Sequence, residues 1–255
     1  MPAPLKTIAS YWVTEQTLLL ISRGDLVDFA TDDDAAIVNA ANTTCIADFI
    51  RPGNSIDQAI SRAGGERFLA ARLELPIVEG GDTRCPVGDA KLTSGKFGRL
   101  GTNHVIDAVG PNYHDYEFEQ YKEADALLVS CYESALERAD DANLKQVAFA
   151  LQSVNDRGQR SLKQLCAVAA STVASWVQAN PDTTIHTILL CGATDKEAQK
   201  LYESCKKFGF VSEEEANATS TTTAATALDQ DNDKEHKNPS STAIATETDS
   251  KLTRP

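Results

Sequence analysis

The sequence predicts an α/β fold in which helices cover both faces of a largely parallel sheet. Two observations lead to this prediction. Short apolar runs typical of buried strands alternate along the chain with segments of helical periodicity, and turn residues such as glycine, proline and asparagine separate them. This alternation is typical of βαβ units, whose crossover helices pack against the faces of a parallel sheet.

The predicted elements run from residue 17 to residue 207. Strands are expected at residues 17–22, 36–38, 90–93, 104–109, 147–151 and 184–191. Helices are expected at residues 55–63, 66–75, 117–139, 161–179 and 195–207, and Gly64 and Gly65 end the first of them.

This pattern divides the chain into three parts. Residues 1–16 are predicted to form an N-terminal extension, and residues 17–211 one domain. Residues 212–255 are rich in serine, threonine and acidic residues and carry almost no large apolar side chains, so we expect a disordered tail.

Composition excludes several functional classes. The 255 residues carry a net charge of −13 with a pI near 4.7, which leaves no basic surface for holding nucleic acid. We expect no membrane association, because the apolar runs are too short to cross a bilayer and residues 1–10 lack a secretory signal. The six cysteines are widely spaced without a CxxC pair, which indicates reduced structural thiols, no metal site and a cytoplasmic or nuclear location.

One stretch carries most of the functional information. The apolar run 36–38 is followed by Asn39 and Asn42, then by a polar loop, and a helix is predicted to begin at Ser55. Ligands of open α/β sheets bind beyond the carboxyl ends of the strands, where the N–H groups of a helix start can receive an anion. The stretch is therefore a candidate phosphate and ribose site.

Five blocks, in the right order, resemble the macro domain family. They are Gly24-Asp25-Leu26, the Val-Asn-Ala-Ala-Asn run at 38–42, Asp57-Gln58-Ala59-Ile60 with the Gly-Gly pair, Arg84 to Ala90, and Val-Ile-Asp-Ala-Val-Gly-Pro-Asn-Tyr at 105–113. The last two are most similar to its eukaryotic, fungal and plant-like branch. The resemblance implies a three-layer α/β/α sandwich with a mixed sheet of six or seven strands.

The resemblance also implies a ligand, ADP-ribose or an ADP-ribosylated protein, bound by a monomer without a cofactor. Hydrolysis of mono-ADP-ribosyl esters or of O-acetyl-ADP-ribose is a possible activity. Two alternatives stay open, a non-catalytic reader of ADP-ribosylated proteins and a degenerate fold that serves as an interaction scaffold.

Three side chains receive specific roles from the resemblance. Asp25 would accept a hydrogen bond from the adenine amino group, although it could be an ordinary turn residue. Asn42 would orient the distal ribose, or else its amide bonds its own loop. Asp57 would activate water as a general base, or else it caps the helix. Asn42 and Asp57 are the catalytic candidates.

The remaining expected ligand contacts flank the phosphates and the adenine. They are Leu26, Ala41, Gly53, Asn54, Ser55, Ile56, Ser153, Val154, Asn155, Asp156, Arg157 and Gly158.

Both expected phosphate loops depart from the family pattern. The first keeps only Gly53 of a glycine run and follows a short insertion after Asn42. The second places Asp156 where a diphosphate would lie, and Arg157 could offset that charge by pairing with the phosphate or with Asp156. Asp107 replaces a histidine usual in the family, and we expect a local structural exchange there.

Overall fold

The computed structural model describes residues 4–29, 34–50, 55–78, 80–208 and 211–212. The strands are β1 (Lys6–Trp12), β2 (Leu18–Arg23), β3 (Ala35–Ala40), β4 (Ala90–Ser94), β5 (His104–Ala108), β6 (Gln146–Ala150), β7 (Thr187–Gly192) and β8 (Val211–Ser212). The helices are α1 (Ile56–Leu73), α2 (Tyr121–Asp141), α3 (Leu162–Ala179) and α4 (Asp195–Lys207). Short 3₁₀ helices lie at Leu26–Asp28, Tyr113–Asp115 and Phe118–Gln120.

The described strands form one mixed sheet in the order β4-β5-β3-β6-β7-β2-β1-β8. The five central strands, from β5 to β2, pair in parallel, and the pairs at both edges are antiparallel. The predicted mixed, largely parallel sheet is thus confirmed. The two-residue β8 adds a short strand at one edge.

The structure places a strand within the first sixteen residues, which the sequence assigned to an extension. β1 pairs antiparallel with β2, and among its side chains only Tyr11 is buried. A strand with so little buried surface gives a weak hydrophobic pattern, which explains why the sequence did not reveal it. The predicted tail, apart from Ser212, lies outside the described residues.

Alternate residues of β3 and β5 face two different helical layers. Val38 and Ile106 belong to the core beneath α2, α3 and α4, whereas Ile37 and Val105 pack towards α1. Asn39 and Asp107 continue the α1 side, and they lie opposite each other in the parallel register of β3 and β5. This three-layer arrangement, with α1 covering one face, confirms the predicted sandwich and places two polar side chains beneath α1.

Helix α1 is broken at Gly65, where φ is +64° and ψ is −160°. Positive φ costs glycine little because it has no Cβ, so the Gly-Gly pair ends the first helical segment as the sequence predicts. Asp57 and Arg72 would be about 22 Å apart along an unbroken helix, yet their side chains form an ion pair of 2.9 Å. The break therefore turns the second segment back beside the first. None of the described helices combines the length and apolar character needed to span a bilayer.

Candidate functional site

A two-part cleft lies at the carboxyl ends of the parallel strands. Its larger cavity, about 400 Å³, is bounded by the loops that follow β3 and β6 and by the start of α1. A smaller cavity of about 240 Å³ extends towards β7 and α4. The two cavities adjoin, since both are lined by Ser55, Ile56, Leu151, Val154 and Asn155.

The start of α1 lies where the two cavities meet. Ser55 caps the helix, and its hydroxyl accepts a hydrogen bond of 3.2 Å from the Gln58 N–H. The N–H groups of Ile56 and Asp57 have no acceptor within the helix, as at any helix start. The positive end of the helix dipole adds to these donors, so an anion is favoured at the junction of the cavities.

Asp57 lies at the floor of the larger cavity and is 7% exposed. Its Oδ1 accepts hydrogen bonds from Asn39 Nδ2 at 2.8 Å and from Arg72 Nη2 at 2.9 Å, with a longer contact of 3.4 Å from the Ser61 hydroxyl. Oδ2 accepts none of these hydrogen bonds, and it is not completely buried. Asp57 is therefore anchored through one oxygen, and the other is left out of these bonds in a residue that lines the larger cavity.

Arg72 holds two buried carboxylates at once. Its Nε donates to Asp107 Oδ2 at 2.7 Å, and Nη2 donates to Oδ1 of both Asp107 and Asp57. Its guanidinium carbon lies 4.1 Å from the centre of the Phe68 ring. Burial alone would lower the pKa of Arg72, but the charges and hydrogen bonds of Asp107 and Asp57 outweigh it and raise that pKa.

Asn39 and Asp107 complete this buried network. Asn39 Nδ2 also donates to Asp107 Oδ1 at 2.7 Å, while its Oδ1 is buried without a hydrogen-bond partner among the described residues. Asn39 thus has a structural role, because its amide joins the carboxylates of Asp57 and Asp107. Asp107 does more than replace a histidine, because it supplies the second carboxylate that compensates Arg72.

Asn42 lines the larger cavity but bonds its own loop. Its Nδ2 donates to the Ile46 carbonyl at 2.7 Å, and its Oδ1 accepts from the Thr44 N–H at 3.0 Å and from the Thr44 hydroxyl at 2.7 Å. This is the alternative that the sequence left open for Asn42. Only the second N–H of the amide remains for a ligand.

The loop after β6 provides the opposite wall of the larger cavity. Residues 151–156 all line it, and Ser153 adopts a positive φ of 58° while its hydroxyl donates to the Pro111 carbonyl at 2.8 Å. That bond gives the Ser153 hydroxyl a loop-fixing role. Arg157 and Gly158 lie outside the lining of both cavities, and Gly158 packs against Tyr113 and Tyr121.

The remaining candidates lie near the smaller cavity or outside the described residues. Leu26 lines the smaller cavity, whereas Asp25 caps the 3₁₀ turn by accepting from the Val27 N–H at 3.0 Å and does not line either cavity. Ala41 lines the larger cavity. Gly53 and Asn54 lie outside the described residues.

Sequence reasoning missed the wall that β7 and α4 provide. Cys191, Thr194 and Glu197 line the smaller cavity, and Glu197 Oε2 accepts from the Ala193 N–H at 2.8 Å. A threonine cap after a predicted strand was the available signal, because that strand ends at the same edge of the sheet as β3 and β6. Within the described residues there is no group of three His, Cys, Asp or Glu residues that could hold a metal ion.

Comparison with known proteins agrees with this architecture. The family profile described as Macro domain matches residues 38–159. A macro domain-containing protein of Methanosarcina mazei is 37% identical over 165 residues, which are 64% of this chain and 76% of that protein. One from Chlorobaculum tepidum is 32% identical over 183 residues, 72% of this chain and 92% of that protein.

Solved structures show the same fold. The Oceanobacillus iheyensis macrodomain with ADP superposes with a TM-score of 0.65 at 23% identity, covering 81% of this chain and 98% of that one. The Trypanosoma brucei macrodomain in complex with ADP gives a TM-score of 0.57 at 22% identity, covering 73% and 68%. With relatives above 30% identity matched over most of their length, this chain belongs to the macro domain family.

Proposed function

We propose that the cleft binds ADP-ribose, either free or attached to a protein. The adenosine end would occupy the smaller cavity, the diphosphate would lie at the start of α1, and the distal ribose would lie beside Asp57 and Asn42. The observation that carries the proposal is the position of the α1 start, at the junction of two adjoining cavities. The ADP in two structures of similar fold supports it.

The size and the chemistry of the cleft suit such a ligand. Small-molecule sites commonly enclose about 300–1,000 Å³, and the two cavities together fall in that range. Among the described residues that line the cleft there is no lysine or arginine, and the backbone N–H groups and the dipole of α1 would hold the diphosphate. The carboxylate of Asp156 opposes it, at a cost of roughly 1 kcal/mol if solvated.

Hydrolysis is a second candidate function, favoured by the open oxygen of Asp57. Because Oδ1 is held by Asn39 and Arg72, the carboxylate has a fixed orientation, and Oδ2 would be the oxygen available to a ligand in the larger cavity. A carboxylate oxygen beside the distal ribose would take a proton from a water as that water attacks the ester carbonyl carbon. The bond between that carbon and the ribose oxygen would then break, and the proton would pass to the ribose oxygen, which gives a carboxylic acid and ADP-ribose. The substrate would be a mono-ADP-ribosyl ester or O-acetyl-ADP-ribose.

Calorimetric titration of the full chain with ADP-ribose tests the binding proposal. We expect saturable binding at micromolar concentrations, and the absence of heat would favour the degenerate scaffold instead. Binding without release of ADP-ribose from a modified protein would favour the reader.

Asp57→Asn tests the site itself. Asparagine can keep the Oδ1 contacts with Arg72 and Asn39 while replacing the open oxygen by an amide NH₂ group. We expect binding to weaken about tenfold, the loss of one charge-assisted hydrogen bond, and any hydrolysis to fall further. Asp141→Asn is the control, because that carboxylate lies on the surface at the end of α2. Equal affinities of both variants and the parent would refute the assignment of Asp57.

Three finer expectations accompany this proposal. A monomeric state, a cytoplasmic or nuclear location and placement in the eukaryotic, fungal and plant-like branch rest on the sequence alone. The relatives above 30% identity, from Methanosarcina mazei and Chlorobaculum tepidum, are archaeal and bacterial.

A further inference from the structure

A third cavity lies on the other side of the loop that borders the larger cavity. This cavity, which we call the α1 groove, has a volume of about 190 Å³. Ile46, Ala47 and Phe49 line it from the loop, and Phe68 and Leu69 line it from α1. It has an almost entirely apolar surface and room for one large apolar side chain.

The α1 groove and the larger cavity share one loop as their common wall. Asp48 lines the larger cavity, and the next residue, Phe49, lines the groove. The Asp48 carbonyl accepts a hydrogen bond of 2.6 Å from Gln58 Nε2, which ties the loop to the first turn of α1. A bound polypeptide that leaves the larger cavity across Asp48 would therefore contact Phe49 next.

The buried ion pair also connects the two cavities. Asp57 belongs to the lining of the larger cavity and Arg72 to that of the groove, and 2.9 Å separates their paired atoms. The buried network therefore holds the residues that separate the larger cavity from the α1 groove. The spacing of the two cavities is thus set by rigid, buried contacts.

The rim of the groove exposes large apolar side chains. Phe49 is 55% exposed and Leu69 44%, while Ile50, which follows Phe49, is 96% exposed. Phe49 also lies 5.3 Å from the Arg62 guanidinium. Apolar side chains clustered around a groove are typical of surfaces that bind another chain.

We propose that the α1 groove receives an apolar side chain of the polypeptide to which the ADP-ribosyl group in the cleft is attached. This inference rests on the proposed function and specifies the partner, a protein modified close to an apolar residue. Continuity of the two surfaces across Asp48 and Phe49 identifies this occupant, because the distal ribose is the end of the ligand that is joined to the protein.

The test compares free ADP-ribose with two short peptides that carry mono-ADP-ribose through a non-hydrolysable linkage. One peptide has a leucine near the modified residue, and the other has serine there. Calorimetry gives their affinities for the parent chain and for Phe49→Ser and Leu69→Gln, two substitutions at exposed positions. Phe118→Ser is the control, since Phe118 is 65% exposed and lies outside the groove.

We expect the leucine peptide to bind the parent chain about three- to tenfold more tightly than free ADP-ribose, as burial of one apolar side chain allows. Phe49→Ser and Leu69→Gln should remove this gain and leave the affinity for free ADP-ribose unchanged. The serine peptide should bind the parent chain no more tightly than free ADP-ribose does. Phe118→Ser should keep the full gain in affinity for the leucine peptide.

Two results would overturn the inference while ADP-ribose still binds. The first is that both peptides bind the parent chain with equal affinity. The same result is expected if residues 213–255 of the chain itself occupy the groove. The other is a concentration-dependent dimer in sedimentation equilibrium that Phe49→Ser abolishes, which would make a second copy the occupant. Failure of free ADP-ribose to bind would instead overturn the proposed function, and this inference with it.

Discussion

The Arg72 guanidinium joins two carboxylates from different elements, Asp57 on the first segment of α1 and Asp107 on β5. Arg72 is 1% exposed, and the paired Nη2 and Asp57 Oδ1 are 2.9 Å apart. Two negative charges against one positive charge leave this cluster with a net negative charge below the cleft. Such a cluster is stable only while every member keeps its partners, because an unpaired buried charge is costly.

Arg72→Met should therefore destabilise the protein strongly. It would leave Asp57 and Asp107 buried without a cation, and the expected loss is about 3–5 kcal/mol in the free energy of unfolding. Urea denaturation at neutral pH measures it. Arg138→Met is the matched control, because Arg138 is 42% exposed and its surface pairs should contribute under about 1 kcal/mol. Similar losses in the two variants would contradict the role of Arg72.

This network also shows what the sequence could and could not predict. The alternation of strands and helices, the break after Gly64 and the placement of Asp57 near Asn42 all follow from local patterns. Arg72 does not, because an arginine in a helical pattern normally indicates a solvated face. Its partners lie 15 and 35 residues away in sequence, and only the turn at Gly65 and the β3–β5 register bring them together.

The loop side chains were only partly predictable for a similar reason. An asparagine at a strand end can bond either a ligand or its own loop, and residue type does not decide between them. The loop after Asn42 supplies the partners Thr44 and Ile46, so the local bonds form. Predicting that α4 lines the cleft would have required the order of the strands in the sheet, which local sequence patterns do not give.

Asn42→Ala should loosen the loop on which the cleft depends. The substitution removes the bonds to the Ile46 carbonyl and to the N–H and hydroxyl of Thr44. We expect a loss of about 1–3 kcal/mol in stability, at about 1 kcal/mol per hydrogen bond, partly offset by water. Thermal unfolding measures the loss, and faster amide hydrogen exchange at residues 43–46 would locate it. Asn112→Ala is the control, because it removes two side-chain hydrogen bonds of the 3₁₀ helix Tyr113–Asp115 and should leave exchange at residues 43–46 unchanged. If exchange at residues 43–46 were also unchanged in Asn42→Ala, this would argue against a loop-fixing role.

Gly158→Ala should show why this glycine is required although it lies outside the cleft. Its φ is +52°, and an added Cβ would lie 2.7 Å from the Tyr121 hydroxyl and 2.9 Å from the Tyr113 carbonyl. Gly81→Ala is the control, since φ there is +86° but, apart from the adjacent residues, no atom in the described part of the chain lies within 4 Å of the added Cβ. Both substitutions incur about 1–2 kcal/mol for positive φ, and Gly158→Ala should cost more by the clash. Equal denaturation midpoints would refute the steric argument.

Alkaline pH should destabilise the protein through its buried thiols. Burial raises the pKa of Cys166, Cys191 and Cys205 from 9.0 to about 12. A group with a raised folded-state pKa contributes its stability below the unfolded pKa, and that contribution is lost as pH rises towards the folded pKa. Stability should therefore fall between about pH 9 and pH 12, by roughly 1.4 kcal/mol per thiol at pH 10.

Urea denaturation at pH 7.5 and pH 10, in the presence of a reductant, measures this loss. Cys205→Ala supplies the comparison: the variant begins less stable, because it loses buried volume, but its decline between the two pH values should be smaller by the contribution of one thiol. Other groups that titrate in this range act equally on both chains and cancel in the difference. If the parent and Cys205→Ala lost the same free energy between the two pH values, the Cys205 thiol would have to ionise as readily in the folded chain as in the unfolded one.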